Sequence, residues 1–258
     1  MDSAHTVVPA VVLAGAPAEQ DLKDKYSVHN RAEVPIHGKK MIQYVLDALH
    51  GSPSVGNICV VGDLACEGVA QIVPSAGSLI DNLIAGVKAC DAGDGHVLIV
   101  TSDIPMVTSE AIEDFLARCR ETEAEFYYAV ISKEVNEAKY PGMARTYMKL
   151  AEGVFTGGNI ILVSSRLITE NGDLIRELLA ARKKPVQMAG IIGMRFLFRA
   201  VIAQTIWRGA LPFAFAEQTV GRIVKARLKA IRTPYAEIGA DVDKLEHVEF
   251  AEKALSVK

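Results

Sequence analysis

The feature that most constrains this chain is a series of short apolar runs, rich in β-branched residues, that do not alternate with polar ones. They lie at 7–14 (VVPAVVLA), 57–62 (NICVVG), 96–102 (HVLIVTS), 126–132 (FYYAVIS) and 159–165 (NIILVSS). A strand of this kind must be covered on both faces. Between the runs, 41–51 (MIQYVLDALHG), 78–90 (SLIDNLIAGVKAC) and 109–121 (SEAIEDFLARCRE) repeat apolar residues at three- and four-residue steps, which predicts amphipathic helices. The resulting β-α-β-α-β-α-β order predicts an α/β fold, Rossmann-like, with a mainly parallel sheet and helices on both faces.

Beyond these elements the pattern changes. Residues 173–231 read as a mostly helical insertion in which Val220, Ile223, Val224, Leu228 and Ile231 form one stripe. A last strand near 234–240 and a closing helix with Leu245, Val248, Ala251 and Leu255 inward are expected to follow. Pro141-Gly142 and Thr156-Gly157-Gly158 mark loops within a domain rather than a linker, and no repeat interrupts the chain. With 258 residues, half of them hydrophobic, the chain has enough apolar material for one domain across 1–258.

The longest apolar region, 193–215, is interrupted by Arg195, Arg199 and Arg208 and falls short of a membrane span. Met194, Phe196, Leu197, Phe198, Ile202, Ile206 and Trp207 occupy too many helix faces for one packing side. Either the domain buries them, or they form an exposed patch that a homodimer covers. Arg195 and Arg199 would then lie at the rim or point toward an anionic acceptor. Membrane-surface attachment is disfavoured by the scarcity of basic residues.

Charge narrows the partners. With 28 basic and 31 acidic residues spread along the chain, net charge −3, nothing attracts nucleic acid or anionic lipid, and a small-molecule substrate is favoured. Cys59, Cys66, Cys90 and Cys119 have neither zinc-ligand spacing nor a disulfide pattern and read as buried thiols. The opening MDSAHTVVPAVVLAGAP lacks a basic region before its apolar stretch, so a cytoplasmic location is expected.

Ligands of open α/β sheets bind outside the carboxyl ends of the strands, and four places there carry candidate chemistry. In LAGAP (13–17) a buried strand gives way to Gly15, whose backbone can approach phosphate oxygens closely or can simply turn the chain. In TSDIPMVT (101–108) Asp103 ends an apolar strand, where a carboxylate can hold Mg²⁺ against a triphosphate. The alternative makes Asp103 a turn residue, with Thr108 capping the next helix. FTGGN (155–159) offers Thr156 and Asn159 to a ligand, although a hairpin turn explains its two glycines equally well. In GADVDKLEHVEFAEKAL (239–255) Asp241 and Asp243 close a short strand, and Asp243 with Glu246 fits a capping box.

Taken in order, these places resemble the nucleotidyltransferase superfamily of the molybdenum-cofactor guanylyltransferases, the sugar-phosphate nucleotidyltransferases and the isoprenoid cytidylyltransferases. The most specific match is PIHGKKMIQYVLDAL (35–49), which follows LAGAP and Arg31 as the corresponding family segment follows its glycine-rich loop and lysine. The resemblance implies the nucleotide-diphospho-sugar transferase type of sheet. It also implies transfer of a nucleotidyl group from a nucleoside triphosphate (NTP) to a small phosphorylated or acidic acceptor, with Mg²⁺ and release of pyrophosphate. Leu13, Ala14, Gly15, Ala16, Arg31, Ser78, Asn82 and Ser102 would contact the nucleotide. Arg31 and Asp103 would act in catalysis, Asp103 with Asp241 or Asp243 would bind metal, and Thr156, Gly157, Gly158 and Asn159 would face the acceptor.

The chain departs from that pattern in its first loop. Ala16 stands where the family has a second glycine, its Gly-Thr-Arg part is absent, the loop from Pro17 to Asn30 is longer and more acidic, and Arg31 takes the lysine position. Arginine brings a planar fork in place of a compact ammonium; Lys23 or Lys25 is the substitute available in the loop. Two other functions fit the same residues: a noncatalytic nucleotide-binding protein, and a metal-dependent glycosyltransferase, whose Asp-x-Asp normally lies mid-chain.

Overall fold

The computed structural model describes residues 7–181 and 190–256; positions 1–6 and 257–258, and 182–189 of the expected helical insertion, lie outside the described residues. Strand β1 (Val8–Leu13) leads to helix α1 (Gln20–Tyr26), the short strands β2 (Pro35–Ile36) and β3 (Lys39–Lys40), and helix α2 (Met41–His50). Next come β4 (Val55–Val61), β5 (Gln71–Val73), α3 (Leu79–Ala89), β6 (His96–Thr101) and α4 (Ser109–Arg120). The chain continues through β7 (Phe126–Ser132), α5 (Lys133–Lys139), β8 (Met148–Leu150) and the long β9 (Gly153–Ser164). Helices α6 (Ser165–Glu170), α7 (Gly172–Ala181), α8 (Met194–Thr205) and α9 (Phe213–Val224) precede β10 (Leu228–Arg232) and α10 (Leu245–Leu255).

An eight-stranded sheet runs in the order β10-β7-β9-β6-β1-β4-β5, with β8 joined to β9. Strand β9 is antiparallel to β6, β7 and β8, whereas the other neighbours pair in parallel. The sheet is therefore mostly parallel but mixed, because β9 arrives from β8 by a tight turn instead of a helical crossover. Both faces are covered. Ile42, Leu46 and Phe115 of α2 and α4 pack against Val12, Leu98 and Val100 on one face, and Leu83 and Val87 of α3 pack against Val11, Val61 and Ile99 on the other. Successive strand residues such as Val11 and Val12 point to opposite faces, and both are buried; the apolar runs do not alternate for that reason.

Several expectations need correction. Thr156, Gly157, Gly158 and Asn159 are not a turn before a strand but the middle of β9, with Gly157 opposite Val130 and Thr156 opposite Ile131. The stripe from Val220 to Ile231 is not one helix: Val220, Ile223 and Val224 belong to α9, Lys225 ends that helix in the left-handed region, and Leu228 and Ile231 lie in β10. Strand β10 extends the β7 edge in parallel, so the last strand is 228–232, and the expected position at 234–240 holds the 3-10 turn Ala236–Gly239. The stretch from Pro17 to Asn30 is not wholly loop, because it contains α1. Of the four cysteines, Cys66 is half-buried and the other three are buried.

The capping box at the last helix is also corrected. Lys244 is the N-cap residue of α10 and its side chain makes no cap bond. The Leu245 amide instead donates to Asp21 of α1 at 2.9 Å, and this bond is the main reason the Asp21 carboxyl lies below its ordinary value of 3.8. A carboxyl lowered by folding stabilises the native state above its unfolded value, and that contribution disappears as pH falls through the folded value. Asp21→Asn is expected to melt below the wild type at neutral pH and to converge with it in strong acid. A constant difference across the titration would exclude the cap.

In the 193–215 region, Phe196, Ala200, Ile202 and Ala203 of α8 pack into a cluster with Phe155 and Leu211. Phe198 (67%), Ile206 (82%) and Trp207 (66%) remain largely exposed, so the segment is neither wholly buried nor wholly free. Arg195 and Arg199 stack over the Phe215 ring at 5.7 and 4.2 Å, and Arg199 also donates to the Ala210 carbonyl. Both guanidinium groups cover apolar surface. Among the described residues, no helix is long and apolar enough to cross a membrane.

Candidate functional site

At the carboxyl end of β6 the chain passes through Ser102 and Asp103, and the Ser102 amide donates to the Leu13 carbonyl at 3.1 Å. The Val242 amide donates to the Asp103 carbonyl at 2.7 Å, which brings the segment after the 3-10 turn Ala236–Gly239 against β6. Arg31 joins the two. Its Nη1 donates to Asp103 at 3.0 Å and to Asp243 at 2.8 Å. Arg31 Nε and Asp103 Oδ1 are both buried without a partner.

Arg31 is fixed by its own local structure. Asn30 caps the 3-10 turn Arg31–Glu33 by accepting from the Ala32 amide at 2.9 Å, and its Nδ2 donates to the Ala14 carbonyl at 2.7 Å. The Arg31 amide donates to the Ala16 carbonyl at 3.1 Å. The divergent first loop is therefore stitched along 14–16 to the turn that carries the arginine. Lys25 pairs instead with Glu249 at 4.0 Å, and neither Lys23 nor Lys25 has an ion pair with the aspartates among the described residues.

On the other side of the loop, a Cβ at Gly15 would lie 2.3 Å from Asn82 Nδ2 and 3.2 Å from Ser75 Oγ, so a side chain at this position would displace the amide of the buried Asn82. Asn82 also accepts from the Ala76 amide at 2.6 Å. Ser78 is the N-cap of α3 and its hydroxyl is engaged with Asp81, which gives it a complete structural role.

A second arginine completes the cluster. Arg145 pairs with Asp241 and donates to the Gly157 carbonyl at 3.1 Å. Burial pulls its guanidinium below the usual value, and Asp243 acts in the opposite sense. Asn159 donates to Asp241 at 3.4 Å and to the Ile238 carbonyl at 3.3 Å. The glycines of β9 serve close approach: a Cβ at Gly157 would meet the Tyr128 hydroxyl at 1.9 Å, and one at Gly158 would meet Ile238 at 2.8 Å and Ala129 at 2.9 Å.

Asp103, Asp241, Asp243, Arg31, Gly157 and Asn159 thus converge, Gly15 and Asn82 meet beside them, and Thr156 is buried within β9. The three aspartates are not equivalent. Asp103 and Asp243 share Arg31, while Asp241 turns to Arg145; among the described residues no group of three or more His, Cys, Asp or Glu side chains is arranged to hold a metal. Arg145, in PGMARTYM, escaped notice in the sequence because an arginine in a polar loop carries no pattern of its own.

The mostly parallel mixed sheet with helices on both faces is the fold of an α/β nucleotidyltransferase. A sequence profile of the MobA-like NTP transferase domain matches residues 10–205, and the chain belongs to that family. A solved structure of a hypothetical transferase from Thermus thermophilus is 33% identical, covers 94% of this chain and 99% of its own, and superposes with a TM-score of 0.83. CMP:2-keto-3-deoxy-manno-octonic acid synthetase in complex with CTP shares the fold at 13% identity and a TM-score of 0.63, covering 97% of this chain and 99% of its own. 4-Diphosphocytidyl-2C-methyl-D-erythritol synthase from Anaerococcus prevotii does so at 14% and 0.59, covering 98% and 97%. No curated protein matches the sequence significantly.

Proposed function

We propose that the protein transfers a nucleotidyl group from an NTP to a small acceptor bearing a phosphate or carboxylate, with pyrophosphate leaving. The observation that carries this reading is the pair of aspartates from separate segments, Asp103 and Asp243, gathered on Arg31 beside the Gly15 loop. The backbone at Gly15 would approach the triphosphate, and Arg31 would exchange its carboxylate partners for phosphate oxygens. Asn82 and Ser102 would border the nucleotide, and Asn159 with Arg145 would orient the acceptor. The contribution of the chain is position and charge.

The residues fit Mg²⁺. Asp103 Oδ1 is a buried carboxylate oxygen with no partner, and one or two carboxylates with substrate phosphates form the usual magnesium environment. Asp103 and Asp243 would hold the ion, with Asp241 as the alternative second ligand. When bound, Mg²⁺ would supply charge neutralisation at the triphosphate.

Pyrophosphate release measured over the four NTPs with Mg²⁺ tests this reading, alongside thermal shift, in which a ligand at about 100 times its dissociation constant stabilises by roughly 2.7 kcal/mol. A second reading, nucleotide binding without catalysis, is favoured by Arg31 already neutralising both aspartates. It predicts the thermal shift without pyrophosphate. The exposed Phe198, Ile206 and Trp207 support a homodimer through 193–215. Light scattering is expected to give twice the monomer mass for the wild type and a monomer for Phe198→Glu; a wild-type monomer at micromolar concentration rules the dimer out.

A further inference from the structure

A cavity of about 510 Å³ lies between the sheet edge formed by β7, β8, β9 and β10 and helix α9. Its walls include Tyr128, Val130, Phe155, Phe213 and Val220, and at one rim it reaches Thr156 and Gly157. The long polar side chains around it are occupied. Gln204 bonds both the amide and the carbonyl of Lys149, and Glu217 accepts from the Ala230 amide while facing Lys229. The hydroxyls of Tyr128, Thr146 and Thr156 have no hydrogen-bond partner among the described residues, and that of Tyr128 sits against Gly157.

The rim at Gly157 leads to the aspartate cluster. Arg145 holds the Gly157 carbonyl and Asp241, its Nε is buried without a partner, and the neighbouring Thr146 also lines the cavity. The space therefore has an apolar body with an arginine and a free phenol near one end. A cavity of this size with a few convergent polar groups is the common form of a small-molecule site. A polyhydroxylated sugar placed against Val130, Leu150, Phe155, Phe213 and Val220 would lose more water from its hydroxyls than the few hydroxyls at the rim replace.

We propose that this cavity binds the acceptor, and that the acceptor is a molecule with a compact aromatic or branched apolar body and a single phosphate directed toward Arg145 and Tyr128. The proposal rests on the nucleotidyl-transfer reading and specifies its substrate class. An oxygen of the acceptor phosphate forms a bond to the α-phosphorus of the NTP, the bond from that phosphorus to the β-phosphate bridging oxygen breaks, and pyrophosphate departs with the electron pair. The apolar body stays in the cavity throughout.

The test titrates the full-length protein by calorimetry with 1-naphthyl phosphate, and with ribose 5-phosphate as a probe of similar charge but polar body. Naphthyl phosphate is expected to bind saturably and at least about tenfold more tightly than ribose 5-phosphate. Ala230→Trp and Ala216→Phe fill the cavity from the strand and the helix side, and each is expected to weaken naphthyl phosphate by about tenfold or more. Their NTP-dependent thermal shift should remain at the wild-type value. Two fillings from opposite walls keep the test decisive if one variant fails to fold. Equal affinity for the two phosphates, or wild-type naphthyl phosphate affinity in a folded filled variant, overturns the proposal. Absence of any NTP response in the wild type instead defeats the nucleotidyl-transfer reading, and the naphthyl phosphate titration reports on the cavity independently.

Discussion

Asp103→Asn is expected to slow pyrophosphate release by about 100- to 1,000-fold, the range for removing one preorganised electrostatic group from a reaction centre. The substitution keeps the size of the side chain and removes its charge. Oδ1, which has no protein partner, loses the negative charge that would hold Mg²⁺ against the triphosphate. The fold should survive, because Arg31 keeps its bond to Asp243 at 2.8 Å and is not left as an unpaired buried cation. Asp243→Asn should lower the rate comparably, whereas Asp241→Asn, which loosens Arg145, should act more through the acceptor than through Mg²⁺ dependence. The measurement is the rate as a function of Mg²⁺ and NTP, with a melting curve for each variant. An unchanged rate and unchanged Mg²⁺-dependent affinity in Asp103→Asn would remove this residue from the mechanism.

Much of the fold was legible because its central strands are covered on both faces. The apolar run from Val8 to Leu13 and the helical steps of Met41–His50 and Ser109–Arg120 report burial directly, and burial is what sequence periodicity records. The misread parts are those where local pattern and tertiary pairing conflict. Leu228 and Ile231 continue the three- and four-residue spacing of α9, yet Lys225 closes the helix and β7 recruits the residues that follow into β10. The glycines at 157 and 158 look like a turn, but they are required where Tyr128, Ala129 and Ile238 crowd the middle of β9. Glycine marks close approach as readily as reversal, and the sequence alone does not separate the two.

The candidate site was legible where a single strand end delivers a polar residue. Asp103 follows the run His96–Thr101 and lies where an open α/β sheet places its ligands. The partners of such residues were less accessible. Arg31 and Asp243 are 212 positions apart, Arg145 and Asp241 are 96 apart, and no spacing rule connects either pair. The capping pattern at Asp243 and Glu246 was satisfied in sequence but unused in space, because Asp21 reaches the Leu245 amide and Asp243 is free to meet Arg31. A local motif predicts a bond only when no stronger partner arrives from elsewhere in the chain.

Gly62→Ala is expected to destabilise the protein by about 3 kcal/mol, at the upper end of the usual cost of overpacking. The added methyl would sit 2.4 Å from the Ala14 carbonyl oxygen, 2.7 Å from its carbon and 2.8 Å from Leu64 Cδ2. The first two are backbone atoms, so no rotamer change relieves the contact. Both strand ends are also tied: the Ala14 amide donates to the Val61 carbonyl at 2.8 Å and the Gly62 amide to the Val73 carbonyl at 2.9 Å. The ends of β1 and β4 must separate, and the melting midpoint should fall by roughly 6–12 °C at about 2–4 °C per kcal/mol for a chain of this size. The effect should reach the site, because the displaced Ala14 carbonyl is the acceptor for Asn30 Nδ2 at 2.7 Å, and Asn30 caps the turn that carries Arg31. NTP affinity measured below the melting range should therefore decline in the same variant. A melting midpoint equal to that of the wild type would show that the strand ends yield without cost, and a lowered midpoint with unchanged NTP affinity would uncouple the β1 loop from Arg31.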